Sequence, residues 1–428
     1  MKRALTARKL PVLALVLLSA LFSTAPVRAL AEESPAAPVV VTATDAAGQA
    51  LVDAGAQVVL CVPATGAVAI YENWRARAKC AQEYQLHEEV AVGMAMGASC
   101  RGRRSAVLLK SHGLAKAANA LVDAWTMGAE GGLVLLVACD REGRASDTIF
   151  NIDALVAGLS LPMRRLGPGE VYHGVREAFA QSEAQGLPVV VLFEDDELNA
   201  PAGPLPPAPP PVVPGPVPAR DADRRVLCPL NVRYPHEVVQ AKLAGTDWRT
   251  LVRPVWPVIP EGMPPKFRPT IQAYMPVFDL LKTLRPDIDF IAGDTGTSTL
   301  FACPPYELID AAAYYGGSIP MAAGALKAGA RKTWAVTGDW AFTAAGHLGL
   351  HEAVQMGLPV KVLILHNRVA GATGGQPLNE GVFARLIGAY SEFVRRVDVA
   401  DRDALRATLQ AAQASDRLEL VVVDLPTP

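Results

Sequence analysis

The sequence alternates twice between short runs of β-branched residues and stretches whose apolar residues recur at helical spacing. Alternation of this kind predicts parallel strands joined by crossover helices. We therefore expect an α/β protein with two domains, each a parallel sheet flanked by helices. The predicted strands are residues 58–63, 106–110, 133–139 and 189–194 in the first series, and 289–292, 333–337, 360–365 and 418–423 in the second.

The two series are separated by a proline-rich stretch, residues 201–218. Proline has no backbone N–H, so we expect this stretch to stay out of any sheet and to act as a semi-rigid spacer. The predicted domains are residues 40–198 and 268–428, with a linker and connecting segment at 199–267. Ligands of such sheets bind at the carboxyl ends of the strands. The residues just after each strand are therefore the informative ones.

The first 31 residues read as a separate leader. Basic residues at positions 2, 3, 8 and 9 precede an apolar run at 10–22, and small residues suited to cleavage follow at 27–31. This layout is typical of a secretory signal peptide and predicts an exported or periplasmic protein. If Met1 is not the true start, the chain is instead cytoplasmic. No later apolar run is long enough to predict an internal transmembrane helix.

Charge and cysteine content exclude several kinds of partner. The formal net charge is −2 and no long basic run follows the leader, so nothing predicts a nucleic-acid partner. The six cysteines form no Cys-x-x-Cys pair, which argues against a zinc ribbon or a ferredoxin cluster. Cys61 and Cys139 lie in apolar runs, where we expect buried thiols.

Gly338 and Asp339 follow the strand predicted at 333–337. A glycine at a strand exit lets a phosphate approach the backbone closely, and the helix predicted at 346–356 would present free N–H groups to that anion. Asp339 offers a hard carboxylate for Mg²⁺. Asn367 and Val369 follow the next strand and offer an amide oxygen and a backbone carbonyl to the same ion. The pattern predicts a diphosphate and magnesium site.

This pairing resembles the signature of thiamine-diphosphate enzymes, Gly-Asp-Gly followed at a distance by Asn-Asn. Trp340 stands at the third position and His366 at the first asparagine. The motifs around this pair resemble those of the indolepyruvate:ferredoxin oxidoreductase α-subunit family. That similarity rests on Gly293-Asp294-Thr295-Gly296, Pro304-Pro305-Tyr306-Glu307, Gly316-Gly317-Ser318-Ile319, Asn367-Arg368 and Thr373-Gly374-Gly375-Gln376-Pro377.

The resemblance implies thiamine diphosphate and Mg²⁺ as cofactors. It also implies that Ile319 is the bulky residue that bends the cofactor, although an ordinary core aliphatic fits equally well. The implied metal ligands are Asp339, Asn367 and Val369. The implied cofactor-binding residues are Gly293, Asp294, Thr295, Gly296, Ser318, Ile319, Gly338, Asp339, Trp340, Ala341 and Asn367.

The first domain carries a glutamate of the kind that thiamine chemistry needs. A carboxylate in an apolar pocket can hydrogen-bond the cofactor's pyrimidine and support loss of the C2 proton. The segment 84–95 resembles the family segment with this glutamate, which falls on Glu88. The alternative is a pair of charges that complement a helix dipole, and this is our interpretation of Glu89. His112, after the next strand, is a candidate for binding a 2-oxo carboxylate or relaying protons, or is a bystander.

The resemblance further implies an enzyme that decarboxylates a 2-oxo acid through an enamine. The ferredoxin domain and the Cys-Pro-x-Cys-Pro-His stretch of that family are missing, and residues 272–277 stand in its place. An oxidoreductase would thus need a redox partner subunit. The alternatives are a nonoxidative decarboxylase of the phosphonopyruvate or sulfopyruvate type, and an exported cofactor-binding protein without turnover. The resemblance also implies a homodimer or higher oligomer with sites between chains.

Overall fold

The computed structural model describes residues 40–81 and 83–426, so the predicted leader lies outside the described residues. Two parallel sheets form the framework. The first sheet has five strands in the order β2-β3-β4-β6-β5. Elements of this part are β1 (Val40–Thr42), α1 (Ala43–Asp53), β2 (Val58–Cys61), α2 (Ala67–Ala78), α3 (Glu88–Cys100), β3 (Ser105–Lys110), α4 (Ser111–Lys116), α5 (Ala118–Met127), β4 (Leu133–Cys139), α6 (Ile152–Gly158), β5 (Met163–Arg165), α7 (Val171–Gln185), β6 (Val189–Glu194) and β7 (Pro201–Pro204).

The second sheet has six parallel strands in the order β14-β15-β11-β10-β8-β9. A small hairpin, β12-β13, stands beside it. Elements of this part are α8 (Ala222–Arg225), α9 (Arg233–Leu243), α10 (Arg268–Leu284), β8 (Phe290–Asp294), β9 (Ala311–Ala313), α11 (Ser318–Lys327), β10 (Thr333–Gly338), α12 (Asp339–Ala341), α13 (His347–Gln355), β11 (Lys361–His366), β12 (Val369–Ala370), β13 (Gln376–Pro377), α14 (Glu380–Gly388), β14 (Val394–Asp398), α15 (Arg402–Ala414) and β15 (Glu419–Asp424).

The predicted fold class is confirmed, since both sheets are parallel and flanked by helices. Every predicted strand is present, with ends that differ from the prediction by at most two residues. Their β-branched and leucine side chains are buried on both faces, as parallel strands require. Within the two parallel sheets the prediction missed β5, β9 and β14. Two of these are short and arginine-rich, and β9 consists of alanine, a poor strand former.

The expectation that the proline-rich stretch avoids sheets is wrong for its first residues. β7, Pro201–Pro204, pairs antiparallel with β1. This is a separate two-stranded ribbon with prolines at both ends of β7, which is where a strand tolerates a missing N–H. The ribbon places the end of the first α/β unit beside its own beginning.

The connecting segment is packed rather than a plain tether. Val226 forms a bridge with Ala312 of β9, and the N–H of Leu227 donates to the Ala312 carbonyl at 2.9 Å. Tyr234 and Val238 of α9 are buried. The segment therefore covers the edge of the second sheet and can contribute to a site there.

Helices α3 and α11 pack directly on each other and join the two sheets. Glycines allow the close approach: a Cβ at Gly97 would collide with the Met321 backbone, and one at Gly324 with the Met94 backbone. Backbone-to-backbone packing of this kind fixes the helices tightly. The start of α3, where Glu88 lies, is thus held against the second sheet.

All six cysteines are free, and Cys61 and Cys139 are buried as predicted. Among the residues that the structure describes, none of the helices is long and apolar enough to span a bilayer.

Candidate active site

A cavity of about 380 Å³ opens at the carboxyl ends of the neighbouring strands β8, β10 and β11. Its volume lies within the range of small-molecule sites, about 300–1,000 Å³. Most of the cofactor and metal residues predicted from the sequence line it. These are Thr295, Gly296, Gly338, Asp339, Trp340, Ala341, Asn367 and Val369.

Asp339 is held in place by three donors. Its Oδ1 accepts the N–H of Trp340 at 2.8 Å, and its Oδ2 accepts the N–H of Arg368 at 2.6 Å and lies 2.9 Å from Nδ1 of His366. Arg368 adopts a left-handed backbone conformation, φ 67°, which turns its N–H towards the carboxylate. The carboxylate is almost fully buried, so its orientation is set before any ligand arrives.

His366 is fully buried and does not itself line the cavity. Its ring stacks on Phe383, with 4.3 Å between ring centroids and 13° between planes. Nε2 lies 3.2 Å from Oε2 of Glu380, although not in hydrogen-bond alignment. The residue that departs from the thiamine-diphosphate signature therefore orients Asp339 instead of filling space passively.

Asn367 is fixed by a residue that the sequence did not reveal. Its Nδ2 donates to the hydroxyl of Tyr274 at 2.9 Å, and its Oδ1 accepts the N–H of Val369 at 3.2 Å. Burial raises the pKa of Tyr274 well above its ordinary value, so the group stays a neutral hydroxyl. Tyr274 lies in the stretch that replaces the cysteine motif of the ferredoxin-linked family. This replacement is the sequence feature that could have pointed to Tyr274.

The helix after Gly338 begins earlier than predicted. It starts at Asp339 and continues through a π-helical turn, Phe342–Gly346, to Gln355, rather than starting near Gly346. A Cβ at Gly338 or at Gly296 would meet no atom within 4 Å, so both glycines open onto free space beside the cavity. The helix N-terminus and these glycines form a cradle suited to an anion.

Four predicted cofactor residues are absent from the lining of this cavity: Gly293, Asp294, Ser318 and Ile319. Asp294 is buried and bonded within the protein. Its Oδ1 accepts the Ser318 N–H at 2.6 Å and its Oδ2 accepts the Thr337 hydroxyl at 2.5 Å. Burial raises its pKa to about 6. Asp294 thus ties β8 to β10 and to the start of α11, and Ile319 is fully buried in the core.

The opposite wall of the cavity comes from segments that the sequence did not predict to contribute to a site. The connecting segment and the start of α10 supply Cys228, Pro229, Leu230, Met263, Phe267 and Tyr274. Four aromatic residues line the cavity: Trp340, which was predicted from the sequence, and Phe267, Tyr274 and Tyr315, which were not. This wall is largely apolar, in contrast to the polar strand ends opposite.

The charge of the lining decides what the cavity can hold. Among the described lining residues there is no lysine, arginine or histidine, and Asp339 is the one carboxylate. A diphosphate beside Asp339 would be repelled unless a cation stood between them. The oxygens of Asp339, Asn367 and Val369 are the hard ligands that Mg²⁺ prefers. The residues present therefore fit a magnesium diphosphate.

Glu88 and His112 line a second cavity, of about 210 Å³, on the first sheet. Glu88 is the first residue of α3, and its Oε2 lies 2.8 Å from Nζ of the half-exposed Lys116. Nε2 of His112 lies 2.5 Å from the hydroxyl of Thr148. The structure brings these two predicted residues together. Glu89, predicted as a helix-start charge, lies in the first turn of α3 and accepts from Asn119 at 2.7 Å.

Lys110 also lines this second cavity, but it is committed to protein partners. Its buried Nζ donates to the Ala145 carbonyl at 2.8 Å and lies 3.6 Å from Oδ2 of Asp140. The two cavities have no lining residue in common. Within one chain, Glu88 and Asp339 thus belong to separate halves.

Comparison with known proteins finds a family resemblance in the second half of the chain. Residues 294–423 match the thiamine pyrophosphate enzyme, C-terminal TPP binding domain. This part of the chain is similar to the cofactor-binding domain of thiamine pyrophosphate enzymes. The match does not distinguish the indolepyruvate:ferredoxin oxidoreductase branch from others. A sequence search of curated proteins finds no significant match.

Solved structures share the fold at low sequence identity. One is the thiamine diphosphate-dependent 4-hydroxybenzoylformate decarboxylase of Rhodococcus jostii RHA1, with a TM-score of 0.61 and 16% identity over 90% of this chain and 99% of that chain. Another is a protein of Mycobacterium smegmatis described as thiamin diphosphate-dependent, with a TM-score of 0.58 and 17% identity over 90% of this chain and 99% of that chain. At this identity the likeness shows the fold.

Proposed function

We propose that this protein is a thiamine diphosphate- and Mg²⁺-dependent enzyme that decarboxylates a 2-oxo acid. One observation carries the proposal: Asp339 and Asn367 lie at the ends of adjacent strands, in a cavity whose described lining has no basic side chain. An anionic cofactor there depends on a divalent cation, and the thiamine-pyrophosphate domain match names the anion.

In this proposal the chain would supply each group that the cofactor needs. The side chains of Asp339 and Asn367 and the carbonyl of Val369 would hold Mg²⁺. The backbone at Gly296 and Gly338, with the helix that starts at Asp339, would hold the diphosphate. Glu88 would hydrogen-bond the pyrimidine ring.

When bound, thiamine diphosphate supplies a carbanion nucleophile for a 2-oxo carbonyl, so that CO₂ can leave. Glu88 would hold the proton exchanged with the cofactor's ring. His112, beside Glu88 in the same cavity, would bind the substrate carboxylate or return a proton to the product. The apolar wall opposite Asp339 would exclude water and strengthen these interactions.

We further propose that the active site forms between two copies of the chain. Glu88 and Asp339 line separate cavities within one chain, whereas the proposed chemistry needs both around one cofactor. A symmetric homodimer would place the Glu88 cavity of each copy against the Asp339 cavity of the other. A single chain would then contain two half-sites, neither of which is an active site by itself.

A nonoxidative reaction is the outcome that the chain supports best, because it carries no Cys-x-x-Cys pair to hold a cluster. One of the solved structures that share its fold is a decarboxylase, which agrees with this choice. An oxidoreductase with a cluster-bearing partner subunit is the second candidate, because of the motifs shared with the ferredoxin-linked family. An exported cofactor-binding protein without turnover is the third, because of the signal-like leader.

A CO₂ assay separates the three candidates. The purified chain receives thiamine diphosphate, Mg²⁺ and a panel of 2-oxo acids, with and without a redox dye. Release of CO₂ without dye supports the decarboxylase, and release only with dye supports the oxidoreductase. Cofactor binding without CO₂ from any acid supports the binding protein. Absence of cofactor binding contradicts all three.

A further inference from the structure

Glu352 is a fully buried carboxylate on α13 that binds the backbone just before Glu88. Its Oε1 accepts the N–H groups of Leu86 and of His87, the latter at 3.3 Å. Its Oε2 is buried and has no hydrogen-bond partner within the described part of the chain. The contact joins the second sheet's helix to the loop that leads into α3.

A buried carboxylate is a costly way to pack two helices together. Removing a charged group from water is unfavourable, and burial raises the pKa of Glu352 accordingly. An apolar residue of similar size would fill the space at lower cost. What the carboxylate adds is an acceptor for two backbone N–H groups at the start of α3, where negative charge also complements the helix dipole.

A second contact from the same helix acts on the same loop. Nε2 of Gln355 donates to the Tyr84 carbonyl at 2.7 Å. Glu352 and Gln355 are three residues apart, so they lie on one face of α13. Helix α13 therefore holds the loop before Glu88 through two N–H groups and one carbonyl of that loop. We call these contacts of Glu352 and Gln355 the clamp.

The clamp belongs to the helical stretch that starts at Asp339. That stretch runs without interruption from Asp339 to Gln355. One end carries the expected cation ligand, and the other end holds the loop before Glu88. This rigid helical stretch thus fixes the position of Glu88 relative to the second sheet.

We propose that Glu352 is a positioning residue that sets where the Glu88 carboxylate stands at the start of α3. This inference rests on the proposed function, in which Glu88 acts on the cofactor. A misplacement of about 1 Å at a reacting group can cost about 100-fold in rate. A fixed backbone before Glu88 is therefore a functional requirement of that role.

The test uses the exchange of the cofactor's C2 proton with D₂O, followed by NMR, because this step depends on Glu88 and needs no substrate. Glu352→Gln keeps the reach and the acceptor oxygen. Glu352→Asp keeps the charge but is one methylene too short to reach both N–H groups. We expect the Gln variant to exchange within about threefold of wild type and the Asp variant to be about tenfold slower or more. Calorimetry should show cofactor affinity unchanged in both variants.

Exchange at the wild-type rate in Glu352→Asp overturns the inference, and so does a loss of cofactor affinity that matches the loss of rate. If circular dichroism shows that the Glu352 variants do not fold, Gln355→Ala replaces them in the test, because Gln355 is exposed. Slower exchange in this variant supports the inference, and unchanged exchange overturns it. Slow exchange in Glu88→Gln beside normal exchange in Glu352→Asp removes this inference alone. Failure of the wild type to bind the cofactor removes the proposed function, and this inference with it.

Discussion

Asp339 and His366 form a buried pair at the ends of neighbouring strands, with 2.9 Å between Oδ2 of the aspartate and Nδ1 of the histidine. His366 stands where the thiamine-diphosphate signature has its first asparagine. Its ring is anchored by stacking on Phe383, so it presents Nδ1 to Asp339 in a fixed direction. The departure from the signature is thus compatible with an ordered carboxylate in the site.

Replacing His366 by phenylalanine tests this relationship. The new ring can still stack on Phe383, but Asp339 loses one donor to Oδ2. A hydrogen bond to a charged group contributes about 1.5–3 kcal/mol, so we expect affinity for thiamine diphosphate with Mg²⁺ to fall about tenfold or more. Calorimetric titration measures the affinity, and thermal unfolding reports whether the fold is intact. Unchanged affinity in a folded variant would show that His366 does not orient Asp339.

Tyr274→Phe removes the hydroxyl that accepts from Asn367. The amide then loses one of its two anchors, and its oxygen is less firmly directed at the cation. Loss of one hydrogen bond of about 1 kcal/mol predicts that half-maximal cofactor binding needs an approximately fivefold higher Mg²⁺ concentration.

Tyr306→Phe is the matched control for the tyrosine variant. Its hydroxyl donates to Asp279 at 2.8 Å within the same aromatic cluster, and it does not line the cavity. We expect this variant to bind the cofactor normally. Equal losses in both tyrosine variants would mean that the effect comes from packing and not from Asn367.

Mixing two inactive variants tests the proposed dimer. Glu88→Gln and Asp339→Ala each disable a different half of the site. In a mixed dimer one site carries both defects and the other carries neither, so equal random mixing should restore about a quarter of the wild-type activity. The CO₂ assay follows the recovery after joint refolding. No recovery would place Glu88 and Asp339 in the same chain's site, or outside the site.

Asp294 predicts a pH dependence of stability. Burial raises the pKa of its carboxyl in the folded state to about 6, from an ordinary value of 3.8. The folded state therefore binds this proton more tightly, and the stability it contributes is full below about pH 4 and lost as pH rises through about 6. Asp294→Asn lacks this titration. Its free energy of unfolding relative to wild type should rise by about 3 kcal/mol between about pH 3 and pH 7, with about 2 kcal/mol of that rise between about pH 4 and pH 6.

Urea unfolding of wild type and Asp294→Asn at several pH values measures this difference directly. Comparison of the two proteins cancels the titration of all other groups. A flat difference between about pH 4 and 6 would mean that Asp294 ionises as readily in the folded protein as in the unfolded chain.

The strand framework was predictable because buried parallel strands need continuous β-branched runs, and 58–63 or 360–365 read clearly as such. Elements that rely on tertiary contacts were not predictable. β14 is arginine-rich and is held by pairing with β15, and β7 is proline-rich and is held by β1. In both cases the partner strand overrides the local propensity.

The polar half of the site was predictable because strand order brings Asp339 and Asn367 to one edge. The apolar half was not, because Met263 and Phe267 come from a segment with no periodic pattern. The role of Asp294 also required the structure. Its sequence context fits a ligand, whereas its two hydrogen bonds inside the core show a structural tie.

Calorimetric titration of thiamine diphosphate into wild type and Asp339→Ala, with and without Mg²⁺, tests the central claim most directly. Asp398→Asn is the control, because this exposed carboxylate ends the edge strand β14 and does not line the cavity. We predict Mg²⁺-dependent binding to wild type and to the control, and no detectable binding to Asp339→Ala. Equal binding by Asp339→Ala, or no binding by the wild type, would contradict the assignment of this cavity as the cofactor site.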